Sequence, residues 1–236
     1  DLEAELSFNI IQKATTLYDE KKYNEAIALY NSMENPTEDV YLGLGACYQA
    51  LEDYDKAINY YNKAMQIDST NPNTYYFLGL AYYYKKDFKS AESYLKKAMN
   101  LDNLNPEIKE AIDTLKYAQS EDEMNRAVKL FDKNQYNEAL ALLNSSLNHY
   151  NKNGYAYYYR GMTYEVLNKY NNAVSDYKNA IKYEPDLLTA YYSMAICYEN
   201  LNNIPEAKNM YKKFIEIYKN QDEYLEYAKK RLSELK

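Results

Sequence analysis

Apolar and small residues recur along this chain in pairs of short amphipathic runs, and the clearest pair lies between Asn153 and Pro185. Tyr157, Gly161 and Tyr164 stand four and three residues apart, and Ala173, Tyr177 and Ala180 repeat that spacing. Steps of three and four place each trio on one face of an α-helix. The stretch therefore predicts two helices whose apolar faces meet in a hairpin. A glycine inside a helix costs roughly 1 kcal/mol relative to alanine, so Gly161 predicts a backbone approach too close for a Cβ, opposite the small Ala173. Asn168 to Tyr170 reads as the turn, Asn171 as the N-cap of the second helix, and Pro185 as the stop.

The same hairpin can be followed by its buried alanine, which appears at Ala26, Ala57, Ala91, Ala139, Ala173 and Ala207, with spacings of 31, 34, 48, 34 and 34. Six hairpins result. The first (about 7–37) departs most from the pattern, and the second (38–71) and third (72–105) follow it closely. The fourth (120–153) is weak at its front, with Glu123 and Ala127 where the others have a large and a small residue. The fifth is the reference, and the sixth (188–221) has Tyr191, Ala195, Tyr198, Ala207 and Tyr211. The 14 extra residues before the fourth hairpin are helical in pattern, with Ile108, Ala111, Ile112 and Leu115 on one face and Pro106 at the first helical position. Two readings of its end stay open: it runs on into the fourth hairpin, or Ser120 and Glu123 form a capping box that restarts a helix. A last helix, 222–235, closes the chain.

A shift of 116 residues maps Gly45 on Gly161, Tyr48 on Tyr164, Ala57 on Ala173, Tyr61 on Tyr177, Ala91 on Ala207 and Glu107 on Glu223. The chain reads as one unit written twice, residues 1–119 and 120–236. Each unit is three hairpins and a helix covering the exposed end of the last. With no flexible linker between them, one continuous solenoid is expected.

In a 34-residue frame that counts Gly154 as position 1, Tyr157 falls at 4, Gly161 at 8, Tyr164 at 11, Ala173 at 20, Tyr177 at 24, Ala180 at 27 and Pro185 at 32. These residues resemble the tetratricopeptide repeat, with Tyr in place of the usual Trp at position 4. The resemblance covers essentially the whole chain. It implies an all-α fold, a right-handed superhelix (α-solenoid) of stacked helical hairpins whose first helices line a concave groove that holds peptide segments of partner proteins. The family's carboxylate clamp for chaperone tails needs Lys at position 5 and Asn at 9 of one repeat. Ile11 and Thr15, Leu42 and Ala46, and Met124 and Val128 stand there instead, which argues against a chaperone co-factor of that sort.

Composition narrows the chemistry. The chain has 236 residues with 32 Tyr, 5 Phe and no Trp, a profile suited to a thin repeat protein in which most core positions lie near a surface. Its net charge of −7 falls entirely within residues 1–118, which hold 12 Lys and Arg against 19 Asp and Glu. A nucleic-acid partner needs a basic stripe that is missing. His149 is the single histidine, so a histidine metal cluster or catalytic triad is ruled out. Asp102, Asn103, Asn105 and Glu107 resemble part of a calcium loop, but Pro106 occupies the place of its required glycine. Asn144-Ser145-Ser146 fits a glycosylation acceptor, a pattern common by chance. Cys47 and Cys197, both at position 10, read as small buried side chains rather than a disulfide. No run is long enough to span a membrane, and no cofactor is implied. The chain opens on Asp1, so localisation stays open: cytoplasmic, or exported or anchored if a signal preceded it.

The expected activity is non-enzymatic: an adaptor or scaffold that binds a protein or peptide partner. The alternative is a regulatory or assembly arm of a larger or envelope-anchored protein. Positions 5, 9 and 12 of the first helices point into the groove in this family. Here they include Tyr76, Leu80 and Tyr83, then Met124, Val128 and Phe131, then Tyr158, Met162 and Glu165, and finally Tyr192, Ile196 and Glu199. These predict an apolar, aromatic lining with an acidic edge, for a segment with apolar or aromatic anchors flanked by Lys or Arg. On the opposite side of the fifth hairpin, Arg160 at position 7 and Asp176 at 23 predict a charge-assisted hydrogen bond.

Overall fold

The computed structural model describes residues 2–236, with side chains from residue 5 onward. Among the described residues every regular element is an α-helix. The chain divides into two compact units, residues 1–115 and 116–236. The first holds α1 (Leu2–Asp19), α2 (Tyr23–Asn31), α3 (Glu38–Ala50), α4 (Tyr54–Ile67), α5 (Pro72–Tyr84), α6 (Phe88–Leu101) and the opening turns of α7 (Pro106–Asp132). The second holds the rest of α7, then α8 (Tyr136–His149), α9 (Gly154–Val166), α10 (Tyr170–Tyr183), α11 (Thr189–Asn200), α12 (Ile204–Ile217) and α13 (Glu223–Glu234).

Within each unit, consecutive helices pair as hairpins and hairpins lie side by side. The six marker alanines, Ala26, Ala57, Ala91, Ala139, Ala173 and Ala207, are all fully buried, because the two helices of each hairpin touch there and only a methyl group fits. Tyr61, Tyr177 and Tyr211, at position 24, are buried completely as well. Burying a side chain of that size contributes roughly 1.5–3 kcal/mol. Each phenol meets this burial by donating to the position-12 residue of its own hairpin: Tyr61 to Gln49 Oε1 at 3.2 Å, Tyr177 to Glu165 Oε2 at 2.7 Å and Tyr211 to Glu199 Oε1 at 2.5 Å. The Tyr177 ring explains Gly161. A Cβ there would lie 2.8 Å from that ring, so the close neighbour is Tyr177 and not Ala173. Cys47 and Cys197 are free thiols in the core, and burial pushes both up, Cys47 to about 11.

The turns hold a second correction. Helix α10 begins at Tyr170, so Asn171 lies inside it, and Lys169 takes the N-cap place without a side-chain bond. The preceding residue, Asn168, adopts the left-handed conformation (φ 58°), which reverses the chain within three residues. Its amide reaches Glu165 O at 2.9 Å and that of Lys169 reaches Tyr164 O at 2.8 Å, so two end carbonyls of α9 are satisfied by the turn itself. Lys21, Glu52, Lys86, Asn134 and Asn202 do the same in the other hairpins, at the spacings of the marker alanines. The left-handed region costs an ordinary L-residue about 1–2 kcal/mol, which a glycine avoids while losing part of the gain to its freer unfolded chain. Lys86→Gly is therefore expected to stabilise the chain by about 0.5–1 kcal/mol. An unchanged or lowered melting temperature would show that the Lys86 side chain compensates the strain.

In the first unit, the opening turns of α7 cover the third hairpin. Ile108 is buried with Tyr75 and Ala98, and Leu115 with Ala91 and Leu95, while Ile112 packs beside both groups. Helix α7 continues without a break to Asp132. Ser120 is accordingly no cap. It is fully buried, its Oγ 2.9 Å from Ser146 Oγ and accepting from Asn153 Nδ2 at 2.9 Å, which ties α7 to α8 and to the start of α9. Asn153 also caps α9, its Oδ1 accepting from the Ala156 amide at 3.0 Å. At the far end of the second unit, α13 covers the sixth hairpin, with Leu225 and Ala228 buried.

Candidate partner-binding surface

In the first unit α1 lies beside α3 and α3 beside α5, so positions 5, 9 and 12 of these first helices form one face. It carries two clefts of about 320 Å³ each. One is floored by Ile11, Leu42 and Phe77, with Tyr18 at its side and Asp39 as its carboxylate. It is open because position 9 is small: Thr15 on α1 and Ala46 on α3. The other is walled by Tyr76, Leu80 and Tyr83 from α5 and by Glu107, Glu110 and Ala111 from α7. The Tyr76 phenol is pushed up by burial and further by the negative charge of Glu107 and Glu110. Three of the residues singled out in the sequence are thus brought together in one cleft. The cleft beside α1 and the α7 wall were not anticipated. Their signal was the run of small residues, Thr15, Ala46 and Ala111, next to large ones.

In the second unit the corresponding residues are more deeply engaged. Met124 is only 9% exposed, in a core with Ala127, Ala139 and Leu143. Phe131 is half-buried with its ring edge-on to Tyr136, centroids 5.3 Å apart. Tyr158 and Met162 pack on the cluster of Ala173, Tyr177 and Met194, and the Tyr158 hydroxyl accepts from Thr189 Oγ1 at 3.1 Å. Tyr192 is ringed by Tyr211, Phe214, Tyr224 and Tyr227, with Ile196 in the same cluster.

The two position-12 carboxylates of this unit differ in charge partner. Burial pushes Glu165 up, partly offset by the bond from Tyr177. Burial acts on Glu199 in the same sense, but Arg231 from α13 and Tyr211 outweigh it and hold that carboxyl below its ordinary value. Arg231 clasps Glu199 through Nε at 3.3 Å and through its terminal nitrogen, and binds Glu234 Oε2 at 2.7 Å.

Away from this face, Arg160 and Asp176 form the expected pair as a fork: Nε to Oδ2 at 2.7 Å and a terminal nitrogen to Oδ1 at 2.8 Å. The remaining arm of Arg160 reaches Asn144 Oδ1 at 2.8 Å. Arg126 takes Asp122 on its own helix at 3.5 Å. His149 is half-buried, 3.6 Å from Glu123 Oε1, and that oxygen also accepts from Ser145 at 2.9 Å. Among the described residues no group of three His, Cys, Asp or Glu is placed to hold a metal ion, and no helix is long and apolar enough to cross a membrane.

Stacked antiparallel hairpins with a 34-residue period, buried alanines and aromatic packing at fixed positions define an all-α helical-repeat protein. Sequence models of the tetratricopeptide repeat match residues 36–103, 154–187 and 189–220, together more than half of the chain. The chain belongs to the tetratricopeptide-repeat family. Among solved structures it is similar to that of MamA, at 24% identity over 76% of this chain and 90% of the other, with a TM-score of 0.41. It is similar to the TPR2AB-domain:pHSP90 complex of yeast Sti1, at 17% identity over 98% and 97% of the two chains, TM-score 0.46. A third likeness is to YrrB, a TPR protein with an unusual peptide-binding site, at 20% identity over 88% and 97%, TM-score 0.40. Compared by sequence with curated proteins, the chain matches none.

Proposed function

We propose that the protein is a non-enzymatic interaction module that binds a polypeptide segment of a partner along its first helices. The observation that supports this most directly is the pair of clefts on α1, α3, α5 and α7. Both are apolar at the floor and carry carboxylates at the edge. Both also lie at the positions that tetratricopeptide repeats turn toward their ligands. Side chains on this face are only half-buried against their own chain, and a contiguous apolar surface of this kind marks a site of association. An extended segment with alternating anchors fits the row: one anchor between Leu42 and Phe77, the next between Tyr76 and Tyr83.

A photo-reactive amino acid placed at Thr15 or at Tyr83 is expected to cross-link the partner in the native cell. The same group at Ile67, an exposed second-helix position, is expected not to. A peptide cut from the cross-linked partner should then compete for the adduct. Cross-linking from position 67 alone would move the interaction to the second helices and overturn the reading.

A further inference from the structure

The 116-residue correspondence places Tyr76 over Tyr192, Tyr83 over Glu199, Ala111 over Tyr227 and Leu115 over Arg231. In the second unit the ring of Tyr227 meets that of Tyr192 edge-on with centroids 5.8 Å apart, and Arg231 supplies a guanidinium to the carboxylate at position 12. In the first unit α7 offers neither. Ala111 is too small to reach Tyr76, Leu115 is buried in the core, and a cleft of about 320 Å³ remains. Its rim carries Glu107 and Glu110, both exposed. Among the described residues neither forms an ion pair with a Lys or Arg of the chain. Lys109, between them in sequence, does not line the cleft.

We propose that this cleft receives an arginine side chain of the partner, an inference that rests on the interaction reading above. A planar guanidinium replaces in shape the ring that Tyr227 supplies in the second unit. It stacks on Tyr76 and Tyr83, and its fork of N–H groups meets the carboxylates of Glu107 and Glu110. Charge agrees with shape, because the whole net charge of −7 lies within residues 1–118. A lysine meets the charge but not the flat slot, and a neutral side chain, even a flat one, leaves the two carboxylates without a counter-charge.

The test uses the full chain and three apolar heptapeptides that differ only in a central arginine, lysine or glutamine, titrated by NMR. The arginine peptide is expected to bind about tenfold more tightly than the glutamine peptide and to shift the Tyr76, Leu80 and Tyr83 amides most. That advantage should vanish in Glu107→Gln/Glu110→Gln. Ala111→Tyr, which fills the slot as the second unit fills its own, should remove the advantage while leaving helicity unchanged. Equal binding of the arginine and glutamine peptides on the first helices would overturn the arginine assignment and leave the interaction module standing. A lysine peptide that binds as tightly as the arginine one would overturn the role of the flat slot. No binding of any of the three up to about 1 mM would overturn both readings.

Discussion

Arg160→Ala is expected to destabilise the unit formed by residues 116–236 by about 3–5 kcal/mol. Asp176 is only 3% exposed, and both its oxygens are held by the guanidinium. Removing the arginine leaves a buried carboxylate with no counter-charge, and the desolvation that the fork offsets is then unopposed. The guanidinium also lies over the rings of Tyr157 and Tyr164, 5.4 and 5.9 Å from their centroids, so packing is lost along with charge. Burial works to lower the Arg160 pKa, and the bonds and charge of Asp176 outweigh it, so the guanidinium keeps its charge in spite of its burial. The control is Arg160→Met with Asp176→Leu. Replacing both members by apolar groups of similar size removes the buried charge together with its partner and is expected to recover most of the loss. Urea unfolding of the two variants decides the matter: a loss below about 1 kcal/mol in Arg160→Ala would show that water reaches Asp176 freely.

The second large effect is expected from Ile112→Asp together with Leu115→Asp. Leu115 is 2% exposed beside Ala91 and Leu95, and Ile112 packs on the neighbouring group of Tyr75, Ala98 and Ile108. Two carboxylates there either enter an apolar core unpaired or lift α7 off the third hairpin, and both routes cost on the order of 4–5 kcal/mol or more. Because a hairpin in a repeat protein is stabilised chiefly by its neighbours, the damage should spread from α6 back through the first unit. Amide exchange is expected to accelerate across residues 54–101 before it does across residues 154–217. Uniform acceleration, or none, would show that the covering turns of α7 are dispensable.

The hairpins were legible in the sequence because they rest on spacing. Ala57, Tyr61 and Ala64 announce a helix face wherever they stand, and the cover by Ile108, Ile112 and Leu115 followed from the same rule. The Arg160–Asp176 fork was legible for a related reason, since positions 7 and 23 face each other in any hairpin of this frame. The turns were less so. A left-handed residue is usually announced by glycine, and here Lys21, Glu52 and Lys86 take that conformation with no glycine signal. The continuity of α7 was also hidden, because Ser120 and Glu123 have the residue types of a cap while the buried partners Ser146 and Asn153 that claim Ser120 lie 26 and 33 residues away. On the candidate surface, frame positions identified which side chains face outward on average but not which are claimed by a neighbour. Tyr192 is enclosed by the rings of α13, whereas its counterpart Tyr76 is left open by Ala111.

The fully buried phenols at position 24 give the protein an alkaline limit and a means of watching it. Burial pushes Tyr61, Tyr177 and Tyr211 far above the ordinary value of 10.0, and the negative charge of Glu165 and Glu199 adds to this for the latter two. A group whose folded pKa lies above its unfolded one contributes stability that is intact below the unfolded value and is lost as pH rises past it. Each of these phenols then costs about 1.4 kcal/mol per pH unit above 10, or about 4 kcal/mol per unit for the three together. That slope exhausts a typical domain's stability within two or three pH units. An ordinary phenol ionises near 10, so phenolate absorbance should rise in two stages. The second stage should coincide with loss of helical circular dichroism, making the colourless core of these three hairpins its own indicator of unfolding.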